Sequence, residues 1–358
     1  MKKEIKSCMV SVASFELSDT EKYLLNKHNP LGVTLFARNI DTPEQTKNLI
    51  LSIKDVLERD DVIVAIDQEG GRVARLKSPY FRDYLSQKSL GSFLSLKDQI
   101  KATKLQAMLI SNDLLSLGFN LNYAPCADIL FQKTDNVLKT RCFSSDERVV
   151  SRLAEEMMTV YIKNNIVPCL KHVPGHGRIT LDPHLELPYL DASFEKLKKD
   201  FYPFKMLSQK TPMMMTAHIV LSQLDNKPVT QSKKVIQNVI RKEIGFDGFL
   251  ITDALDMKAL NGSLSEKVIS SLNAGCDGVC FCMGDTSGLT EVLENTPVMT
   301  DVSLERFEKV RKIILSDNVK KKITDSDIKE YTDLKEKAFV FQEDYDAVET
   351  LHLLQTKN

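Results

Sequence analysis

Residues 167–177 read Val167-Pro168-Cys169-Leu170-Lys171-His172-Val173-Pro174-Gly175-His176-Gly177. An apolar run, 167–170, gives way to ionisable residues and then to proline and glycine. A run of this length, bounded this way, predicts a strand buried on both faces, with its polar residues just past the carboxyl end. The same pattern recurs at 8–13, 32–36, 62–66, 120–124, 212–216, 249–252 and 278–282. Near the ends of these runs stand Arg38-Asn39, Asp67-Gln68-Glu69, Asp128, His218 and Asp253. Between and after the runs lie stretches of helical length at 19–28, 42–59, 97–117, 146–164, 194–208, 233–244, 264–274 and 303–315. Thr42 and Pro43 form a helix-start signal, and Gly118 is a helix stop. Eight strand–helix units predict an α/β fold, a single (β/α)8 TIM barrel over residues 1–317. The rival is a doubly wound open sheet, but no G-x-G-x-x-G or Walker loop follows any run. Residues 318–358 are rich in Lys, Asp and Glu, with thin apolar spacing at Ala338, Val340, Phe341, Val348, Leu351, Leu353 and Leu354. They are expected to form a charged helical C-terminal tail, too short for a second large domain.

Composition narrows the function classes. Among 358 residues, 48 are Lys or Arg and 49 are Asp or Glu, a formal net charge of −1. That balance gives no support for nucleic-acid or anionic-membrane binding. Apolar residues make up 42 % and charged residues 27 %, as in globular proteins, which excludes a disordered chain or a small disulfide scaffold. No run reaches membrane-spanning length. The seven Cys are odd in number and mostly sit in apolar runs, so reduced thiols and a cytoplasmic location are expected. Trp is absent, so a sugar site would rely on hydrogen bonds and other rings.

Two constellations carry chemistry. The stretch from Lys171 to Pro188 holds three of the six His, at 172, 176 and 184, and its Pro and Gly content predicts a long loop. Asp182 and His184 are two apart, so in extended backbone their side chains would point the same way. A carboxylate beside an imidazole fixes its tautomer and makes a general acid/base usable near neutral pH. The second constellation is Gly245-Phe246-Asp247-Gly248-Phe249-Leu250-Ile251-Thr252-Asp253-Ala254-Leu255-Asp256-Met257. Asp253 ends a buried run, as an ion-pair anchor or a nucleophile, and a helix-competent stretch is expected to follow at once. Asp256 reads as structural. At 66–73, Ile66-Asp67-Gln68-Glu69-Gly70-Gly71-Arg72-Val73, Asp67 could accept hydrogen bonds from sugar hydroxyls, and Arg72 could pair with Glu69.

These motifs resemble family 3 glycoside hydrolases, specifically the single-domain bacterial β-N-acetylglucosaminidase (NagZ) type. The matching stretches run from Leu35-Phe36-Ala37-Arg38-Asn39 through the Asp67 segment, Asn122 to Asp128, Arg141-Cys142-Phe143, the 171–188 loop and 245–257. The K-H-x-P-G-H-G…D-x-H-x-x-L-P signature is highly specific. The resemblance implies Asp253 as nucleophile, His184 as acid/base and Asp182 as its partner. It implies that Asp67, Arg141, Lys171 and His172 contact the N-acetylglucosamine ring. It implies no cofactor and no metal. The expected partner is a small carbohydrate, an N-acetylglucosamine-containing muropeptide of peptidoglycan turnover, acted on by a monomer in the cytoplasm. Three residues depart from the family pattern: Pro183 stands where Ser is usual, Val173 replaces an aromatic residue, and Ser144 replaces Gly. Pro183 fixes one φ angle in the loop of the acid/base pair.

The implied reaction is retaining hydrolysis, with attack by one group and protonation of the leaving oxygen by another. A chain with no large second domain must take its acid/base from its own barrel loops, where Asp182 and His184 lie. Alternatives are phosphorolysis of the same glycosyl intermediate, substrate-assisted hydrolysis using Asp182 and Glu186, a metal-dependent hydrolase using His172, His176, Asp182 and His184, and an inactive sugar-binding barrel.

Overall fold

The computed structural model describes residues 4–317 and 322–341. Ten strands follow in chain order. They are β1 (Lys6–Val10), β2 (Pro30–Leu35), β3 (Ile63–Ile66), β4 (Leu121–Asn122), β5 (Val167–Val173), β6 (Tyr189–Leu190), β7 (Met213–Thr216), β8 (Val220–Leu221), β9 (Phe249–Ala254) and β10 (Gly278–Cys280). Eight of them close into a parallel barrel in the order β1-β10-β9-β7-β5-β4-β3-β2. The (β/α)8 expectation holds, and all eight predicted runs are barrel strands. β6 and β8, in the segments that follow β5 and β7, form a separate two-stranded parallel sheet that no apolar run in the sequence marks.

Alternation along each strand explains why the runs are apolar throughout. Met9, Leu31, Ile63, Ala65, Leu121, Val167, Cys169, Met213, Phe249 and Ile251 pack together inside the barrel. Their neighbours Cys8, Val10, Val33, Val64, Leu170, Met214 and Leu250 point outward into the helix layer. Period-two side-chain direction thus gives each strand two buried faces. Local signals act as read. Thr42 Oγ1 accepts from the Gln45 amide at 3.1 Å at the start of the helix Pro43–Leu57, and Gly118 takes the left-handed φ of +102° that ends Leu96–Leu117.

The last crossover differs from expectation. The helix after β10 is Thr286–Asn295, a ten-residue segment with an internal Gly288 and only Leu289, Val292 and Leu293 buried as apolar anchors. An internal glycine and a short apolar stripe made it weak in the sequence. The expected helix at 303–315 forms as Asp301–Ile314, with another duty. Its Phe307 and Val310 join the inner barrel cluster, and the Phe307 ring meets Phe249 edge-on at 5.9 Å. Its Arg306 pairs with Asp247 and Asp277, just before β9 and β10, so the helix covers the end of the barrel where the strands begin.

Beyond it, the helix Asp325–Lys337 packs on Leu96–Leu117. Val348, Leu351, Leu353 and Leu354 lie outside the described residues. No helix among the described residues is long and apolar enough to cross a membrane. The described cysteines are unpaired, and six are buried.

Candidate active site

A cleft partly open to solvent is lined by Asp67, Arg141, Lys171, His172, His184 and Asp253 among others. Asp182 stands behind His184. The seven residues picked from the sequence therefore meet at one place. Phe36, Tyr123, Met215 and Met257 supply apolar walls in a chain without Trp.

Three barrel elements build a charged clamp. β3 ends at Ile66, so Asp67 and Glu69, two residues apart, both reach Lys171. Their carboxylate oxygens lie 2.8 and 2.7 Å from Lys171 Nζ. Glu69 also takes Arg141 in a bidentate grip, at 2.8 Å from Nη2 and 3.0 Å from Nε. Arg141 enters from the turn after the short helix Asn136–Lys139. Gln87 Nε2 holds its carbonyl at 2.7 Å and the Cys126 carbonyl at 2.8 Å, fixing two loops together. Burial disfavours the ionised Glu69, but Arg141 and Lys171 outweigh it and hold the carboxyl well below the usual range. Burial likewise disfavours the Lys171 ammonium, and Asp67 and Glu69 reverse that. The sequence points to Asp67 as a sugar contact and offers Glu69 as a partner for Arg72. That pairing does not occur: Arg72 donates instead to the Val137 carbonyl. The same-face spacing of 67 and 69 was the available signal for Glu69.

Asp128 organises the next layer. Its Oδ2 lies 2.7 Å from His172 Nδ1, and its Oδ1 accepts the His176 amide at 2.6 Å. Burial raises this carboxyl, but His172 and His176 bring it below the ordinary range. With Nδ1 committed to Asp128, His172 Nε2 faces Arg141 Nη2 at 3.3 Å and Asp253 Oδ2 at 4.0 Å. Lys171 and His172 belong to β5, not to a loop as expected, so both are held by the sheet. His176 does not reach the cleft. Its ring packs edge-on against His172 at 5.2 Å, and both ring nitrogens are buried without partners. Burial, then His172, push it down to about 3, so it stays neutral.

The Asp182–His184 pair meets as predicted but by another geometry. Asp182 Oδ1 accepts both the His184 amide at 2.9 Å and His184 Nδ1 at 2.6 Å. The Asp182 carbonyl accepts the Leu185 amide at 3.0 Å. The segment is a tight turn rather than extended backbone. Pro183 occupies its second position, where a fixed φ near −65° is favoured. The departure from the family pattern at 183 is thus turn chemistry that rigidifies the pair. Burial raises Asp182, and the side-chain and backbone hydrogen bonds and the charge of His184 together bring it below its ordinary value.

Asp253 stands at the end of β9, its Oδ1 accepting the Ala254 amide at 2.8 Å. Burial pushes its carboxyl up, but His172, His218, the Ala254 amide and His184 hold it well below the usual range. It is an ionised carboxylate aimed into the cleft. His218 sits beneath it, bonded to Thr230 at 2.7 Å and to the Ala254 carbonyl at 3.0 Å. The helix expected directly after Asp253 begins only at Leu264, so Asp256 lies in the intervening loop and lines the cleft. It accepts the Cys282 amide at 2.7 Å, and burial raises its carboxyl.

Among the described residues, Cys126, Asp128 and His172 are the one group whose donor atoms lie within 4.8 Å of one another. Asp128 already accepts from both partners, with Cys126 Sγ at 3.3 Å. His176, Asp182 and His184 do not join them.

Residues 3–314 match the model described as the glycosyl hydrolase family 3 N-terminal domain. The chain belongs to glycosyl hydrolase family 3. Within the family, a β-hexosaminidase of Haemophilus influenzae is 31 % identical over 296 residues, covering 81 % of this chain and 83 % of its own. A β-hexosaminidase of Idiomarina loihiensis is 28 % identical over 313 residues, 87 % of this chain and 93 % of its own. The crystal structure of NagZ from Neisseria gonorrhoeae in complex with N-trifluoroacetyl-D-glucosamine superposes with a TM-score of 0.82 at 27 % identity, over 94 % of this chain and 98 % of that one.

Proposed function

We propose that this family 3 barrel is a β-N-acetylglucosaminidase that removes terminal β-linked N-acetylglucosamine with retention of configuration. The observation that carries the reading is the ionised Asp253 carboxylate in the same cleft as the Asp182-supported His184. A retaining hydrolysis needs this combination. Asp253 attacks the anomeric carbon while His184 gives a proton to the leaving oxygen. His184 then takes the proton of the incoming water, and the glycosyl–Asp253 ester is cleaved. Asp67, Lys171, Arg141 and His172 hold the ring as charge develops. A His acid avoids the like-charge conflict of two close carboxylates.

Relatives named β-hexosaminidase and the N-acylglucosamine bound by the neisserial NagZ support the choice of sugar. Muropeptides of peptidoglycan turnover are the proposed substrates, and a cytoplasmic monomer the proposed form. Residues 1–317 are the proposed catalytic unit, and residues 318–358 its appendage. The direct test compares aryl N-acetyl-β-glucosaminide with aryl β-glucoside. Cleavage favouring the former is expected, and inertness toward both would refute the reading.

A further inference from the structure

The helix Asp325–Lys337 lies outside the span 3–314 matched by the family model, yet it reaches toward the clamp. Its Tyr331 is 3 % exposed and packs on Tyr84 with ring centroids 6.0 Å apart. The Tyr331 hydroxyl donates to Gln106 Oε1 at 2.7 Å and accepts the Leu85 amide at 3.1 Å. Gln106, fully buried on Leu96–Leu117, turns its other end to the loop that follows β3. Its Nε2 donates to the Leu85 carbonyl at 2.9 Å and to the Glu69 carbonyl at 3.5 Å. The Gly71 amide donates to the Tyr84 carbonyl at 2.9 Å.

There is no slack in this stack. Gly70 has a φ of +104°, and a Cβ there would lie 2.3 Å from the Leu85 carbonyl oxygen and 2.8 Å from Gln106 Nε2. The Glu69 carbonyl thus meets Gln106 while its amide donates to the Val73 carbonyl at 3.0 Å, and Tyr331 bonds both Gln106 and Leu85, whose amide also donates to Gln106 Oε1 at 3.1 Å. The side chain of Glu69 holds Arg141 and Lys171.

We propose that Tyr331 is a positioning residue for the substrate clamp. Through Gln106 it sets the place of Glu69, so sugar binding depends on a helix outside the barrel. The inference rests on the clamp's proposed role in holding the sugar. It predicts a change in uniform binding, seen in KM, rather than in the chemical step.

The test uses the full chain with Tyr331→Phe, which keeps the ring and removes the hydroxyl. Glu330→Gln is the control. It weakens the surface pair with Lys101 on the same helix contact and leaves Tyr331 untouched. With aryl N-acetyl-β-glucosaminide, Tyr331→Phe should raise KM about three- to tenfold, the scale of one lost hydrogen bond, with kcat within about twofold. Glu330→Gln should leave both within about twofold of the parent. Hydrogen exchange supplies a readout that needs no substrate: the Gly71 amide should exchange faster in Tyr331→Phe and at the parental rate in Glu330→Gln. An unchanged KM in Tyr331→Phe, or equal KM changes in both variants, overturns the inference. So does parental exchange at Gly71. A parent chain inert toward the glycoside would instead refute the glycosidase reading, and the exchange result would still decide the position of the loop.

Discussion

Glu69→Gln neutralises the anion at the centre of the clamp with little change of shape. Glu69 is 1 % exposed and contacts Arg141 Nη2, Arg141 Nε and Lys171 Nζ at 2.8, 3.0 and 2.7 Å. In its absence Asp67 alone faces Lys171 at 2.8 Å and Arg75 at 3.8 Å, and Arg141 loses its bidentate partner. Removing one member of a buried ion pair costs about 3–5 kcal/mol, because the remaining charge stays desolvated. For a chain of this size each kcal/mol moves the melting midpoint by roughly 1.3 °C, so a fall of roughly 4–7 °C is expected. Calorimetry at neutral pH reads it. The double variant Glu69→Gln/Lys171→Met should lose less than the sum of the two single changes, since each deletes the other's unpaired charge. A single-variant midpoint within about 2 °C of the parent would refute the reasoning. It would mean that Asp67 and water suffice to carry both cations.

Two further expectations follow from the site. His184→Ala should reduce kcat/KM on substrates with poor leaving groups by about 10²–10⁴-fold and on activated aryl glycosides far less, since only the former need protonation. Equal losses would assign His184 a positioning role. Asp253, Glu69 and Asp128 are all held below their ordinary range, so their contribution to stability is complete above roughly pH 4 and is lost as pH falls through the depressed folded values. Urea unfolding should show stability falling steadily below about pH 4, and a flat profile there would contradict the assignment.

The barrel was legible because each strand is buried on both faces and six of the eight strand ends carry polar residues. The last crossover was not, because Thr286–Asn295 carries a glycine and few apolar anchors while Asp301–Ile314 has the stronger pattern and covers the end of the barrel instead. Asp253 and the Asp182–His184 pair came from motif spacing, but the turn that joins the pair came from Pro183, whose meaning depends on a hydrogen-bond pattern not visible in sequence. The His cluster overstated its chemistry. His176 is a neutral packing ring, and the long-range partner that orients His172 is Asp128, 44 residues away in sequence. Tyr331 carried a faint signal, since Ile328, Tyr331 and Leu334 share one helix face against the core. Its link to Glu69 through Gln106 spans sequence separations no local pattern encodes.

The central claim is a covalent sugar on Asp253. Incubation with a fluorinated, slowly released N-acetylglucosaminide, followed by proteolysis and mass spectrometry, tests it most directly. The expected result is one ring-fluorinated N-acetylhexosaminyl group on the peptide containing Asp253, absent in Asp253→Ala. Turnover of the reagent with no adduct, or an adduct on another carboxylate, would contradict the account.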